Sequence, residues 1–301
     1  MENNKSFLWP QGILIALLFL SATLSTSVML LIRLNASEAK IQQSRDIHNL
    51  SVAKVGTHQR IEGLKATMLT SLQQEANTKG FTSAAPASFE GVTIKEVRLS
   101  PDKKVIALTF DDGPWPETTA QVLDILKKNN IKATFFVVGK NVKNYPHLAK
   151  RVIAEGHAIG NHTWHHWYHY MNPKAAAYEI DHTTEVIYKT VGVKTNLFRP
   201  PGGIMHNGVA AYARNNKYAV IMWSSDSLDY SRPQVPNLIN NVFRNAQPGG
   251  IVLLHDGGGN RSQTVQALPE IINKFRQQGY SFVTVPELLA MKEKQQRLMA
   301  N

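Results

Sequence analysis

From residue 92 onward, short apolar runs alternate with longer stretches in which apolar residues recur every three or four positions. Runs rich in strand formers at 105–110, 134–138, 157–160, 196–199, 219–223, 250–254 and 281–285 predict buried β-strands. Between them the spacing predicts helices over 117–129, 146–155, 173–191, 234–246 and 264–278, with 286–297 closing the chain. Apolar and polar residues alternate over 92–97, which predicts a short entry strand. Strands alternating with helices imply an α/β domain with a parallel sheet, either closed as an incomplete barrel or open and doubly wound. In both architectures chemistry gathers at the carboxyl ends of the strands. The polar residues that stand out fall there: Asp111 and Asp112, His162, Arg199, Asp226 and Asp229, and His255.

The first ninety residues have a different pattern. Positions 12–32 form 21 consecutive uncharged residues dominated by Leu, Ile, Phe, Val and Met. At about 1.5 Å per residue that length spans a bilayer. A cleaved signal peptide has a shorter apolar core, about 7–15 residues, so the expectation is a retained single-pass anchor. Residues 36–80 are polar, with Ile61, Leu64, Met68 and Leu72 at helical spacing. Four such positions are too few for a coiled coil and predict a solvated juxtamembrane helix. Residues 78–91, with Gly80, Ala84-Ala85-Pro86 and Gly91, read as a linker. The expected organisation is therefore a tip and transmembrane anchor over 1–35, a stalk and linker over 36–91, and a catalytic domain over 92–301.

Composition narrows the chemistry. The chain has no cysteine, which excludes a disulfide framework and a thiolate metal site. Any metal must sit on His, Asp or Glu. The formal charge is +11, and most of the excess lies beyond residue 91, where 25 Lys and Arg face 16 Asp and Glu. Such a surplus suits an anionic partner. The basic residues are scattered, however, and no nucleic-acid reading motif accompanies them.

Five segments carry candidate chemistry. Thr109-Phe110-Asp111-Asp112-Gly113-Pro114 ends the first long strand with two carboxylates at a turn, where both can reach one pocket, one binding a metal and the other accepting a proton. The same residues also suit an ordinary turn. Asn161-His162-Thr163-Trp164-His165-His166 follows the third strand. On one helical turn His162 and His166 would face the same side, and two histidines with a carboxylate make a three-ligand zinc site with an open position. His165 and His169 offer competing pairs. In Leu197-Phe198-Arg199-Pro200-Pro201-Gly202-Gly203, Arg199 can hold a carboxylate ionised, and a backbone N–H after Pro201 can face an oxyanion. Trp223-Ser224-Ser225-Asp226-Ser227-Leu228-Asp229-Tyr230 follows the fifth strand. In Gly250-Ile251-Val252-Leu253-Leu254-His255-Asp256, alternation puts Ile251, Leu253 and His255 on one face, so that Leu253 and His255 can both face the pocket, as an apolar wall and an acid.

Together, in this order, the five segments resemble the polysaccharide deacetylase family, carbohydrate esterase family four with its nodulation-factor (NodB) homology domain. The resemblance runs from about residue 98 to 290. It implies a distorted, incomplete (β/α)7 barrel, and zinc (or another divalent transition metal such as cobalt) on Asp112, His162 and His166. It further implies Asp111 as base oriented by Arg199, His255 as acid oriented by Asp229, Gly202 as oxyanion donor, and Leu253, Tyr230 and Trp223 in the substrate groove. Two positions depart from the family pattern: Gly202 stands where an aromatic residue is usual, and Tyr230 where a tryptophan is. The first departure predicts a groove that lacks one aromatic wall. The implied substrate is an N-acetylglucosamine-containing envelope glycan such as peptidoglycan or a chitin-like oligomer. O-acetyl ester hydrolysis and silent glycan binding are the alternatives. Lys5 precedes the apolar span and Arg33, Lys40 and Arg45 follow it, so the positive-inside count alone would place the carboxyl side in the cytoplasm. That count weakens for a long translocated domain, and an envelope glycan requires the domain outside.

Overall fold

All seven residues of β2, Val105–Asp111, are buried, which requires a strand covered on both faces. Ile106, Leu108 and Phe110 point into a large apolar cluster shared with the surrounding helices, whereas Val105 and Ala107 join a second cluster on the other face. That second face ends in Thr109 and Asp111, so one side of β2 runs from apolar floor to carboxylate rim.

The computed structural model describes residues 83–100 and 102–300, together with helical residues Ser37, Glu38, Lys40, Arg60, Ile61, Gly63, Leu64 and Thr67. The expected span over 12–32 lies outside the described residues. Among those described, no helix is long and apolar enough to cross a membrane. Ile61 and Leu64 are exposed.

In chain order the elements are β1 (Thr93–Ile94), β2, α1 (Thr118–Lys128), β3 (Thr134–Val137), α2 (Gly139–Asn144), α3 (Pro146–Ala154), β4 (Ala158–Asn161) and α4 (Pro173–Val191). They continue with β5 (Leu197–Phe198), α5 (Val209–Asn215), β6 (Ala219–Ile221), β7 (Ser225–Asp226), α6 (Val235–Arg244), β8 (Gly250–His255), α7 (Ser262–Gln277), β9 (Ser281–Phe282) and α8 (Val285–Ala300). The strand order is β1-β6-β5-β4-β3-β2-β8-β7, with β9 on β2, and every named pair is parallel. Only residues 222–224 separate β6 from β7, yet β7 pairs with β8 at the far end of that order. The sheet must therefore curl back on itself. Met222 N–H donates to Ile94 O, Ser224 N–H to Ile251 O, and Val97 N–H to Gly249 O, which carry the seam across. This is the incomplete barrel, and α8 plugs its floor with Val285, Leu288 and Leu289.

Local sequence explains the longest strand-to-strand crossover. Asn172 caps α4 by accepting from Ala175 N–H, Pro173 takes the first turn, and Gly192 closes the helix with a left-handed φ of 74°. Three elements were not anticipated. The helices α2 and α5 span six and seven residues, too short to show a helical period, and β7 is two residues long. The run at 281–285 gives strand only at Ser281–Phe282, because Val285 already opens α8. The last residues before β1 are fixed to the domain: Ile159 N–H donates to Ser83 Oγ, Thr195 Oγ1 to Ser83 O, and Ala85 N–H to Asn196 Oδ1.

Candidate active site

Asp111 and Asp112 leave β2 with their side chains in one cavity of about 670 Å³, at the carboxyl ends of the strands. Asp112 has a φ of 74°, and this left-handed turn replaces strand alternation. Arg199, fully buried, donates from Nη1 to Asp111 Oδ1 at 2.7 Å. It also donates to Thr109 Oγ1, Ile221 O and Met222 O, and its Cζ lies 4.1 Å from the Phe136 ring centroid. A guanidinium held by four hydrogen bonds can move only with the barrel, so Asp111 is aimed by it.

Asp112, His162 and His166 each present a ligand atom, and these lie within 4.8 Å of one another. Oδ1 of Asp112 is buried and accepts no hydrogen bond, although His166 Nε2 stands 2.9 Å away and His162 Nε2 3.5 Å away. Three donor atoms that converge without bonding one another fit a divalent transition ion. His162 Nδ1 lies 2.7 Å from Arg199 O. Donation to that carbonyl leaves the Nε2 lone pair facing Asp112.

The two histidines do not share a helical turn. Residues 162–172 form an irregular loop, in which Thr163 (φ 66°) and His166 (φ 63°) are left-handed. Buried Asn161 accepts from Thr163 N–H, and Thr163 Oγ1 accepts from His166 N–H. Side-chain caps of this kind fold the loop so that residues four apart converge without a helix. Of the competing histidines, His165 is turned to Glu179, with Nδ1 2.6 Å from its carboxylate.

Across the cavity, His255 at the end of β8 places Nδ1 2.6 Å from Asp229 Oδ1. Its backbone N–H and Thr264 Oγ1 both donate to Asp229 Oδ2. Burial alone would lower the imidazole pKa; the Asp229 carboxylate, helped by Asp111 and Asp112, outweighs burial and raises it to about 9. Burial likewise opposes ionisation of Asp229, yet His255 and Thr264 hold it below the usual carboxylate range. The pair is a cation beside an anion at neutral pH.

A carboxylate fixed by arginine, a two-histidine and carboxylate cluster, and an imidazolium face one cavity. Residues 98–221 match the family model for polysaccharide deacetylase. Over 194 residues, covering 64% of this chain and 91% of the relative, the sequence is 46% identical to a peptidoglycan-N-acetylglucosamine deacetylase of Bacillus cereus. The chain belongs to the polysaccharide deacetylase family. Among solved members, peptidoglycan deacetylase PdaC from Bacillus subtilis aligns with a TM-score of 0.59 at 35% identity, covering 67% of this chain and 98% of that one. A family pseudoenzyme from Bacillus anthracis aligns at 0.60 and 32%, covering 66% and 69%.

Gly202, Trp223, Tyr230, Leu253 and Asp226 line the deacetylase cavity. Tyr230 stands edge-on to His255 with ring centroids 5.8 Å apart. The groove does not lack an aromatic beside Gly202. A Cβ at that position, where φ is 58°, would lie 2.9 Å from Tyr168 Cε1, so the Tyr168 ring occupies the space a side chain would need. Sequence reasoning missed Tyr168 because it lies 34 positions before Gly202 and only the loop's left-handed folds bring them together. It also missed Asn141, which donates to Asp112 O at 2.8 Å, and Arg261, whose Nη2 is 3.8 Å from Asp112 Oδ2. Both sit in segments with no pattern around them.

Proposed function

We propose that this deacetylase removes acetyl groups from N-acetylglucosamine residues of an envelope glycan, peptidoglycan or chitin-like, using zinc on Asp112, His162 and His166. Zinc held by these three residues would supply Lewis acidity toward the acetamide carbonyl and lower the pKa of the water beside it. Asp111, held in place by Arg199, accepts the proton that water loses as its oxygen bonds to the carbonyl carbon. The Gly202 N–H, at the cavity wall, serves the oxyanion. His255 gives its proton to the amide nitrogen as the carbon–nitrogen bond breaks, leaving acetate and a free amine. An amine leaves poorly unless protonated, so an imidazolium stabilised by Asp229 fits amide hydrolysis better than O-acetyl ester hydrolysis.

The observation that carries this reading is the pairing of a free, arginine-held carboxylate with a separate His-His-Asp cluster in one cavity. Asp111 and His255, both present, argue against silent glycan binding. We further propose that residues 12–32 anchor the protein to the membrane as a single pass, with the catalytic domain outside the cytoplasm. Acetate release from N-acetylated and O-acetylated glycans, measured side by side, tests the assignment: the N-acetylated polymer is expected to be the better substrate. Release from neither, with metal bound, would identify a silent module.

A further inference from the structure

Seven consecutive ring-bearing side chains, Trp164 to Tyr170, occupy the loop between β4 and α4. His166 and Tyr168 serve the cavity, but the others are not used by the reaction. Trp167 is 42% exposed and Tyr178, on the facing turn of α4, is 50% exposed. The imidazole of His165 stacks flat on Trp167, with centroids 4.1 Å apart and planes 7° apart, and lies 6.2 Å from Tyr178 at 22°. This stack is built rather than incidental. Buried Glu179 accepts from the N–H groups of Trp164 and His165 and holds His165 Nδ1 at 2.6 Å. A buried carboxylate thus fixes an aromatic surface that the fold leaves in water, and exposed apolar area of that kind marks a binding site. His165 itself lines the cavity, so the stack and the site share one rim.

We infer that the Trp167–His165–Tyr178 stack is a second binding site, which holds a sugar ring of the glycan chain outside the cavity. The occupant is a pyranose: its face of axial C–H groups is flat and apolar, suits the exposed Trp167 indole at the end of the stack, and carries no charge that would need a partner. A polymeric substrate entering at the rim passes directly over it, and pre-fixed rings lose little conformational entropy on binding. The inference rests on the glycan reading of the cavity.

The test compares N-acetylated chitohexaose with chitobiose on the full chain, as wild type, Trp167→Ala and Trp167→Phe. Wild type is expected to favour the hexamer in kcat/KM. Trp167→Ala should lower that preference roughly fivefold, through KM, since one aromatic contact is worth about 1 kcal/mol; Trp167→Phe should restore most of it. An unchanged ratio in Trp167→Ala would overturn the inference. If the wild type released no acetate from either oligomer, the glycan reading would fail first, and calorimetric titration of the hexamer would decide the stack separately. Binding weakened in Trp167→Ala supports it, and equal or undetectable binding in both proteins refutes it.

Discussion

Two adjacent carboxylates in one cavity are given different partners by the residues around them. Asp111 is tied to a fully buried guanidinium, while the buried oxygen of Asp112 accepts no hydrogen bond and faces two imidazoles. Asp111→Asn should therefore leave metal content unchanged and lower kcat by about 10²–10⁴-fold, the usual worth of a general base, as checked by acetate release and metal analysis together. His255 titrates near 9 because Asp229 outweighs its burial. Activity that needs the imidazolium falls as pH rises through that value. Asp229→Asn removes the partner, so the alkaline limb of the kcat profile should move toward acid. The same pair contributes stability that is fully present below the unfolded value near 6.5 and is lost as pH rises through about 9. The positions of Asp111, Arg199 and His255 were legible because they follow strands whose apolar runs are unmistakable. The backbone conversions at Asp112, Thr163 and His166 were not: non-glycine residues at positive φ leave no local signature, and the histidine spacing pointed to a helix that does not exist.

At the scale of elements, the site depends on how strand ends are held. β8 delivers Leu253 and His255 to the cavity, and its start is joined to the entry segment through Gly249. With a φ of 79°, a Cβ there would lie 1.8 Å from Val97 O. Gly249→Ala should cost about 2–4 kcal/mol of stability, measured by urea unfolding, with Asp112, His162 and His166 themselves unchanged. Long elements were readable in outline; the nineteen residues of α4 match the expected 173–191, and its cap and terminal glycine mark both ends. Short ones were less so: β7, with two residues, has no pattern of its own, and the runs read at 196–199 and 281–285 form strands of only two residues, β5 and β9.

For the whole molecule, the curl that closes the sheet brings residues from several separate strand ends around one cavity. Neither barrel nor open sheet could be chosen from periodicity alone; the seam at 222–224 decides it, and there the sequence shows only an ordinary strand end followed by polar residues. The reaction assigned to that cavity requires three ligands to hold one cation beside a free base. Treating the full chain with a chelator, removing the chelator, and measuring acetate release from N-acetylated peptidoglycan before and after adding one equivalent of zinc tests this most directly. The account predicts no release from the metal-free protein and recovery on adding zinc. Turnover that persists with no metal bound would contradict it.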